Sequence, residues 1–336
     1  MRLVISFILL SLIFSCNNLN QKPDVSNIDI HLTTYRFEKD FFSMDTNQIE
    51  KSIHLLDTAY PTFTHNFFIT ILNADPSWGK DTSERYIKGF ISSYRKVFDT
   101  VESIFSDFTT YQNQIKQSLQ YLTYYFPQSK PPSKIITYIG PLDGYGDIIT
   151  DDAFVIGLHH HLGSNSTLYN DSWLQETYPS YLTNQFTPDH IAINCMKNVV
   201  ADMYPDVKAE SSLYIQMIEQ GKRLYVLEKL LPDVEPSKII GYSDKQLKDC
   251  FKHEAEIWNL FIQNDMLQSI DKNIIKNYIG ESPKTQELGE DAPGNIGAFV
   301  GWQIVEKFMK KRSDTQLSVL MNMDAELIFE TAKYKP

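Results

Sequence analysis

The sequence predicts an α+β fold: one mostly helical domain closed around a small β-sheet. Three observations carry that reading. Only residues 134–163 are convincingly sheet-forming, with β-branched runs at 135–139 and 154–158 flanking a turn-rich connector that holds Pro141, Asp143, Gly144 and Gly146. Elsewhere apolar residues recur at helical spacing, as at Tyr86, Phe90, Tyr94 and Phe98. The composition, 42% hydrophobic and 22% charged over 336 residues, is that of a globular chain with apolar surface for a sizeable core. A net charge of −11 argues against a nucleic-acid partner. The densest basic run, Lys307, Lys310, Lys311 and Arg312, falls where a helix should end and suits the negative end of its dipole.

Residues 1–16 read as a targeting segment outside the fold. Arg2 opens an apolar run, residues 3–14, too short to span a bilayer as a helix. Its end, Leu12-Ile13-Phe14-Ser15-Cys16, resembles the lipobox of bacterial lipoproteins, which implies cleavage before Cys16 and acylation of that cysteine. Several acyl chains, at about 0.8 kcal/mol per buried CH₂, make a stable membrane anchor. Residues 17–26 are polar and predict a flexible tether, leaving 27–336 as the globular domain. Cys195 and Cys250 sit in apolar helical patterns and read as small buried hydrophobes more simply than as a disulfide.

Along the body, alternation of Ile28, Ile30 and Leu32 predicts a strand over 27–37 that joins the central strands in a sheet of three or four. Helices follow at 46–56, 61–72, 82–98 and 109–125, until Pro127, Pro131 and Pro132 break the pattern. The two central runs read as a hairpin or meander, with a short strand over 147–150. Residues 163–186 lack a clear period and read as a long surface excursion over a cleft. Thr187-Pro188-Asp189 is a helix start, with a hydroxyl cap and Pro at the first position. In that helix Ile191, Cys195, Met196 and Val199 bury one side, while His190, Asn194, Lys197 and Ala201 line another. Further helices are expected at 211–230, 243–261 and 270–278, then a Gly/Pro-rich connector at 280–293. The most apolar helix begins near Gly294; Gly297 and Gly301 give it a face for close backbone approach, and it should be central, beneath the sheet. One or two short helices over 315–333 end the chain.

The residues with most chemical promise are His159, His160 and His161, which close the second central run. If that run stays extended through them, His159 and His161 face one way and supply two metal ligands, with His190, Glu254 or Asp202 as the third. The zinc-protease pattern H-E-x-x-H is not intact. His190-Ile191-Ala192-Ile193-Asn194 keeps the first histidine alone, and His253-Glu254-Ala255-Glu256-Ile257 loses the second ligand. There is no G-x-S-x-G elbow, phosphate-binding loop or paired-cysteine metal site, so no cofactor is expected.

Taken together, the lipobox ending at Cys16, F-V-I-G-L-H-H-H-L-G from Phe154, Tyr178-Pro179-Ser180-Tyr181 leading to Thr187-Pro188-Asp189, H-E-A-E-I-W from His253, P-G-N-I-G-A-F-V-G-W-Q-I-V from Pro293 and the closing Ala332-Lys333-Tyr334-Lys335-Pro336 resemble the gliding-motility lipoprotein family GldB of the Bacteroidetes. The resemblance implies a non-enzymatic lipoprotein of the cell envelope, lipid-anchored to a membrane and facing the periplasm, which works with other lipoproteins of the gliding and secretion machinery. It brings no catalytic residues. It also implies a fold remotely like that of zinc metallopeptidases, whose ligands the His190 helix would have lost. The alternative is a metal-dependent periplasmic hydrolase with His159, His161, His190 and Glu254 in its pocket. An interaction role instead predicts an exposed apolar or aromatic patch, placed most naturally on residues 163–186.

Overall fold

A computed structural model describes residues 22–336. Cys16 and the first part of the tether lie outside the described residues. The packed body begins before Asn27, because Val25 is buried and Lys22 pairs with Asp233.

Four strands, β1 (Thr33–Arg36), β2 (Lys134–Tyr138), β3 (Ile148–Ile149) and β4 (Ala153–Gly157), form one sheet in the order β1-β2-β4-β3. The strands β1, β2 and β4 are parallel; β3 alone is antiparallel, pairing Ile148 with Val155 and Ile149 with Phe154. The expected hairpin is therefore displaced. The two β-branched runs lie side by side in parallel, and the tight turn joins β3 to β4, where Thr150 N–H donates to the Ala153 carbonyl. Such a pairing needs the chain to cross the carboxyl end of β4 before it returns along β3. Residues 139–147 make that crossing. The first strand is also shorter than its alternation suggested: the Ile28 and Leu32 carbonyls accept from Gln120 and Gln112 side chains, so this lead-in packs on a helix rather than on a strand.

Helices enclose the sheet. On the amino-terminal side are α1 (Phe37–Phe42), α2 (Ile49–Ala59), α3 (Phe63–Asn66) with a π turn at Phe67–Ile71, α4 (Lys80–Ser93), α5 (Arg95–Phe105) and α6 (Thr109–Tyr125). The helix expected over 82–98 divides at Tyr94, whose ring stacks on Phe90 at 4.3 Å and whose hydroxyl accepts from Leu142 N–H. Phe37 meets Phe63 and Phe67 edge to face, and Phe63 and Phe67 each meet the Tyr138 ring likewise. These rings fill the core at helical spacing, as aromatic stripes normally do.

After β4 a 3₁₀ turn covers Leu158–His160. The excursion holds two short helices, α7 (Ser172–Thr177) and α8 (Ser180–Thr183), and closes at its base through Gly163 N–H to the Phe186 carbonyl. Then come α9 (Ile191–Met203), α10 (Leu213–Leu230), α11 (Pro236–Ile240), α12 (Asp244–Lys252), α13 (Glu254–Gln263), α14 (Lys272–Tyr278), α15 (Ile296–Lys311), α16 (Leu317–Asn322) and α17 (Ala325–Ala332). The helix expected over 243–261 is two, broken at His253.

The α15 helix is central but finds its main partner in α10 rather than under the sheet. The two backbones touch: a Cβ on Gly301 would lie 1.7 Å from the Met217 carbonyl oxygen, and one on Gly221 would lie 2.2 Å from the Gly301 carbonyl carbon. Only glycine permits that approach. No helix among the described residues is long and apolar enough to cross a membrane.

Candidate functional site

The three histidines and Asp147 gather where the 139–147 crossing, the end of β4 and α9 meet. The chain leaves β4 in a 3₁₀ turn, so His159, His160 and His161 point in three directions instead of alternating as on a strand. All three are buried.

Each has a bonded task. Gly140 N–H donates to His159 Nδ1 at 3.1 Å, so the proton sits on Nε2, which donates to the Tyr145 carbonyl at 3.1 Å. His160 Nε2 donates to the Leu142 carbonyl at 2.9 Å, and its ring stacks on Phe186 at 4.4 Å. His161 has an acceptor on both sides: the Thr187 carbonyl at 3.0 Å from Nδ1 and the Asp147 carboxylate at 2.9 Å from Nε2. Two acceptors demand two protons, so His161 is an imidazolium.

Electrostatics agree with the bonds. Burial, reinforced by its two histidine neighbours, drives His159 well below the ordinary histidine range, and burial takes His160 down to about 4. Both are neutral at pH 7. Burial also pushes His161 down, but Asp147 outweighs it and the net shift is upward. For Asp147, burial alone would raise the carboxyl; His161 and the Asn194 amide reverse that, and it is lowered. The result is a buried ion pair.

Asp147 is the hub. Its Oδ1 accepts from Gly157 N–H at 3.1 Å, its Oδ2 accepts from Asn194 Nδ2 at 2.8 Å, and its backbone carbonyl accepts from Asn198 Nδ2 at 3.0 Å. One carboxylate thus ties the crossing, the end of β4 and α9 together. The excursion seals the assembly. Tyr169 donates its hydroxyl to the His159 carbonyl at 2.7 Å and accepts from Leu162 N–H, while Tyr178 donates to the Gly144 carbonyl.

Of the candidate ligands, the fold brings His159, His161 and His190 into one region. His190 is buried at the start of α9, with Nδ1 2.8 Å from Thr187 Oγ1, and burial, then the Lys197 charge, takes it down to about 4. Glu254 is engaged elsewhere, accepting from Tyr334 at 2.5 Å, and Asp202 is exposed at the far end of α9. His159 Nδ1 is occupied by Gly140, and His161 has no free lone pair. Among the described residues no three His, Cys, Asp or Glu side chains are grouped to hold a metal ion. Cys195 and Cys250 are buried free thiols, both pushed upward by burial. Sequence reading missed Asp147, which stood inside an expected short strand; its position within a polar connector between two apolar runs was the available signal.

The expected apolar patch on residues 163–186 is absent from that segment: Tyr169 and Leu174 are buried and Trp173 alone is a large, well-exposed hydrophobe there. A groove of about 560 Å³ lies instead on the open face of the sheet, beside Tyr35, Tyr60, Phe63, Ile136 and Asp151.

Over residues 18–336 the chain matches the family described as gliding motility protein GldB. No curated protein and no solved structure matches, and the expected likeness to zinc metallopeptidases is not shown.

Proposed function

We propose a function for this chain from one established fact: it belongs to the family of the gliding motility protein GldB. The chain acts as a membrane-anchored lipoprotein of the gliding apparatus, non-enzymatic, through contacts with other components of that machinery. Family membership across the whole described body is the observation that carries this reading. The histidine geometry supports it: the imidazoles that looked most like ligands are spent on backbone carbonyls and on Asp147, and their work is to hold the crossing at the end of β4.

Anchoring is assigned to Cys16, and the folded body faces the periplasm. The test is complementation of a gliding-defective deletion strain. Wild-type chain should restore spreading and incorporate labelled palmitate; Cys16→Ala should be made, lose the label and fail to restore movement. Full restoration by the unlabelled variant would sink the anchoring assignment, and a deletion strain that glides normally would sink the function.

A further inference from the structure

The body begins closer to its anchor than the sequence suggested. Lys22 is held by Asp233, Val25 is buried, and the Ile28 carbonyl accepts from Gln120 of α6 at 2.8 Å, so the lead-in is fastened from Lys22 onward. With the anchor at Cys16, the lipid attaches six residues before Lys22. An extended chain advances roughly 3.3–3.6 Å per residue, so Lys22 lies at most about 20 Å from the bilayer. A domain of this length is about 50 Å across. The link is therefore shorter than half the body, and the surface around Lys22 is the one turned to the lipid.

That surface is built on α6. Gln117 donates to Asp233 at 3.2 Å, the same carboxylate that holds Lys22. Tyr124 lies two turns further along the same face, about 10 Å from Gln117 at a rise of about 1.5 Å per residue. It is 50% exposed and meets the Tyr125 ring edge to face at 5.0 Å. A second, independent observation singles out the same helix. Residues 108–142 contain no Asp or Glu, the longest such stretch after Cys16 in a chain that has 42 acidic residues. Its charged residues are Lys116, Lys130 and Lys134, of which Lys130 is exposed just beyond the end of α6 and Lys134 pairs with Asp152. The exposed positions of α6 before Tyr124 are Thr109, Thr110, Asn113, Gln114 and Gln117, all uncharged. The neighbouring carboxylate of Asp233 is offset by Lys22.

We propose, on the strength of the anchoring at Cys16, that the face of α6 from Gln117 to its carboxyl end, with Lys130 beyond it, rests on the lipid headgroups of the bilayer that carries the anchor. An exposed tyrosine with a lysine nearby suits the headgroup layer, where aromatic rings with a polar tip collect. The lack of carboxylates suits an anionic lipid surface, which would repel most other faces of a chain with a net charge of −11.

The test uses the purified acylated protein in vesicles of phosphatidylcholine and phosphatidylglycerol that carry a nitroxide on the headgroup. Cys195 and Cys250 are buried, so a fluorophore can be placed selectively on Tyr124→Cys or, as the reference, on Leu327→Cys. Leu327 is 51% exposed on α17, where Glu326 accepts from Tyr214 at the end of α10 opposite to Asp233. In vesicles recovered by flotation, the label at Tyr124 should lose most of its fluorescence and the label at Leu327 little. Adding Lys130→Glu should restore much of the first signal without reducing flotation. A reading without these variants is reductive methylation followed by peptide mapping: Lys130 should be protected in the vesicle-bound wild type relative to unacylated Cys16→Ala, and exposed Lys248 on α12 unaffected. Flotation with equal quenching at the two labels, or with neither quenching nor protection of Lys130, overturns the orientation and leaves the anchor standing. Acylated protein that does not float refutes the anchor, and the orientation falls with it.

Discussion

Asp147 and His161 set the energetics of the site at the level of single side chains. Removing one partner of a buried ion pair leaves an uncompensated charge, which typically destabilises by about 3–5 kcal/mol. Asp147→Ala also strands Gly157 N–H and Asn194. A loss in that range is expected from urea unfolding, and a loss below about 1 kcal/mol would mean the carboxylate is not the hub described. The neutral histidines give a pH signature with a defined sign. His160 and His190 fall from 6.5 to about 4 on folding, so the unfolded chain binds the extra protons between those values. Stability is therefore lost as pH falls from about 6.5 towards 4, by an amount of the order of 3 kcal/mol for each histidine. The raised His161 acts oppositely, its contribution fading only as pH rises through its folded value. Urea midpoints at pH 7.5, 5.5 and 4.5 should decline in order, and a His160→Gln variant should decline less steeply. Little of this was legible beforehand. The partners of the histidines are backbone carbonyls of Leu142, Tyr145 and Thr187, and a carbonyl leaves no mark in sequence.

Periodicity reveals an element's existence more readily than its partners. The spacing of Ile115, Leu119 and Leu122 in α6 follows from one helical face meeting a core, and the apolar run that became α15 is buried all round from Ile296 to Val305, so both helices stood where expected. Parallel pairing of β2 with β4 is non-local, decided by how the crossing is held, and two β-branched runs around a turn-rich connector look alike in either arrangement. The break at Tyr94 likewise depends on a tertiary bond to Leu142. Glycine pairs were more informative. Gly301 foretold a close backbone contact, though its partner α10 could not be read. Gly301→Ala should destabilise at the upper end of the roughly 1–3 kcal/mol seen for overpacking, because the obstructing atom is a backbone carbonyl. Gly89→Ala in α4, with no atom within 4 Å of the new methyl group, should stabilise by about 1 kcal/mol instead. Thermal unfolding of the two variants side by side checks both, and equal shifts would contradict the helix contact.

At the scale of the whole molecule, a mixed sheet, a crossing and α9 converge on one buried polar knot that the excursion caps. The fold class was legible because composition and period are bulk properties, whereas the knot's purpose depends on distances between residues far apart in the chain. A structural knot and a metal centre differ in one observable. The most direct measurement is the transition-metal content of the purified native protein, prepared without a histidine tag and compared with a His159→Ala/His161→Ala variant. The account predicts substoichiometric metal in the wild type and a variant that differs in stability alone. One tightly held metal per chain, lost in the variant, would contradict it.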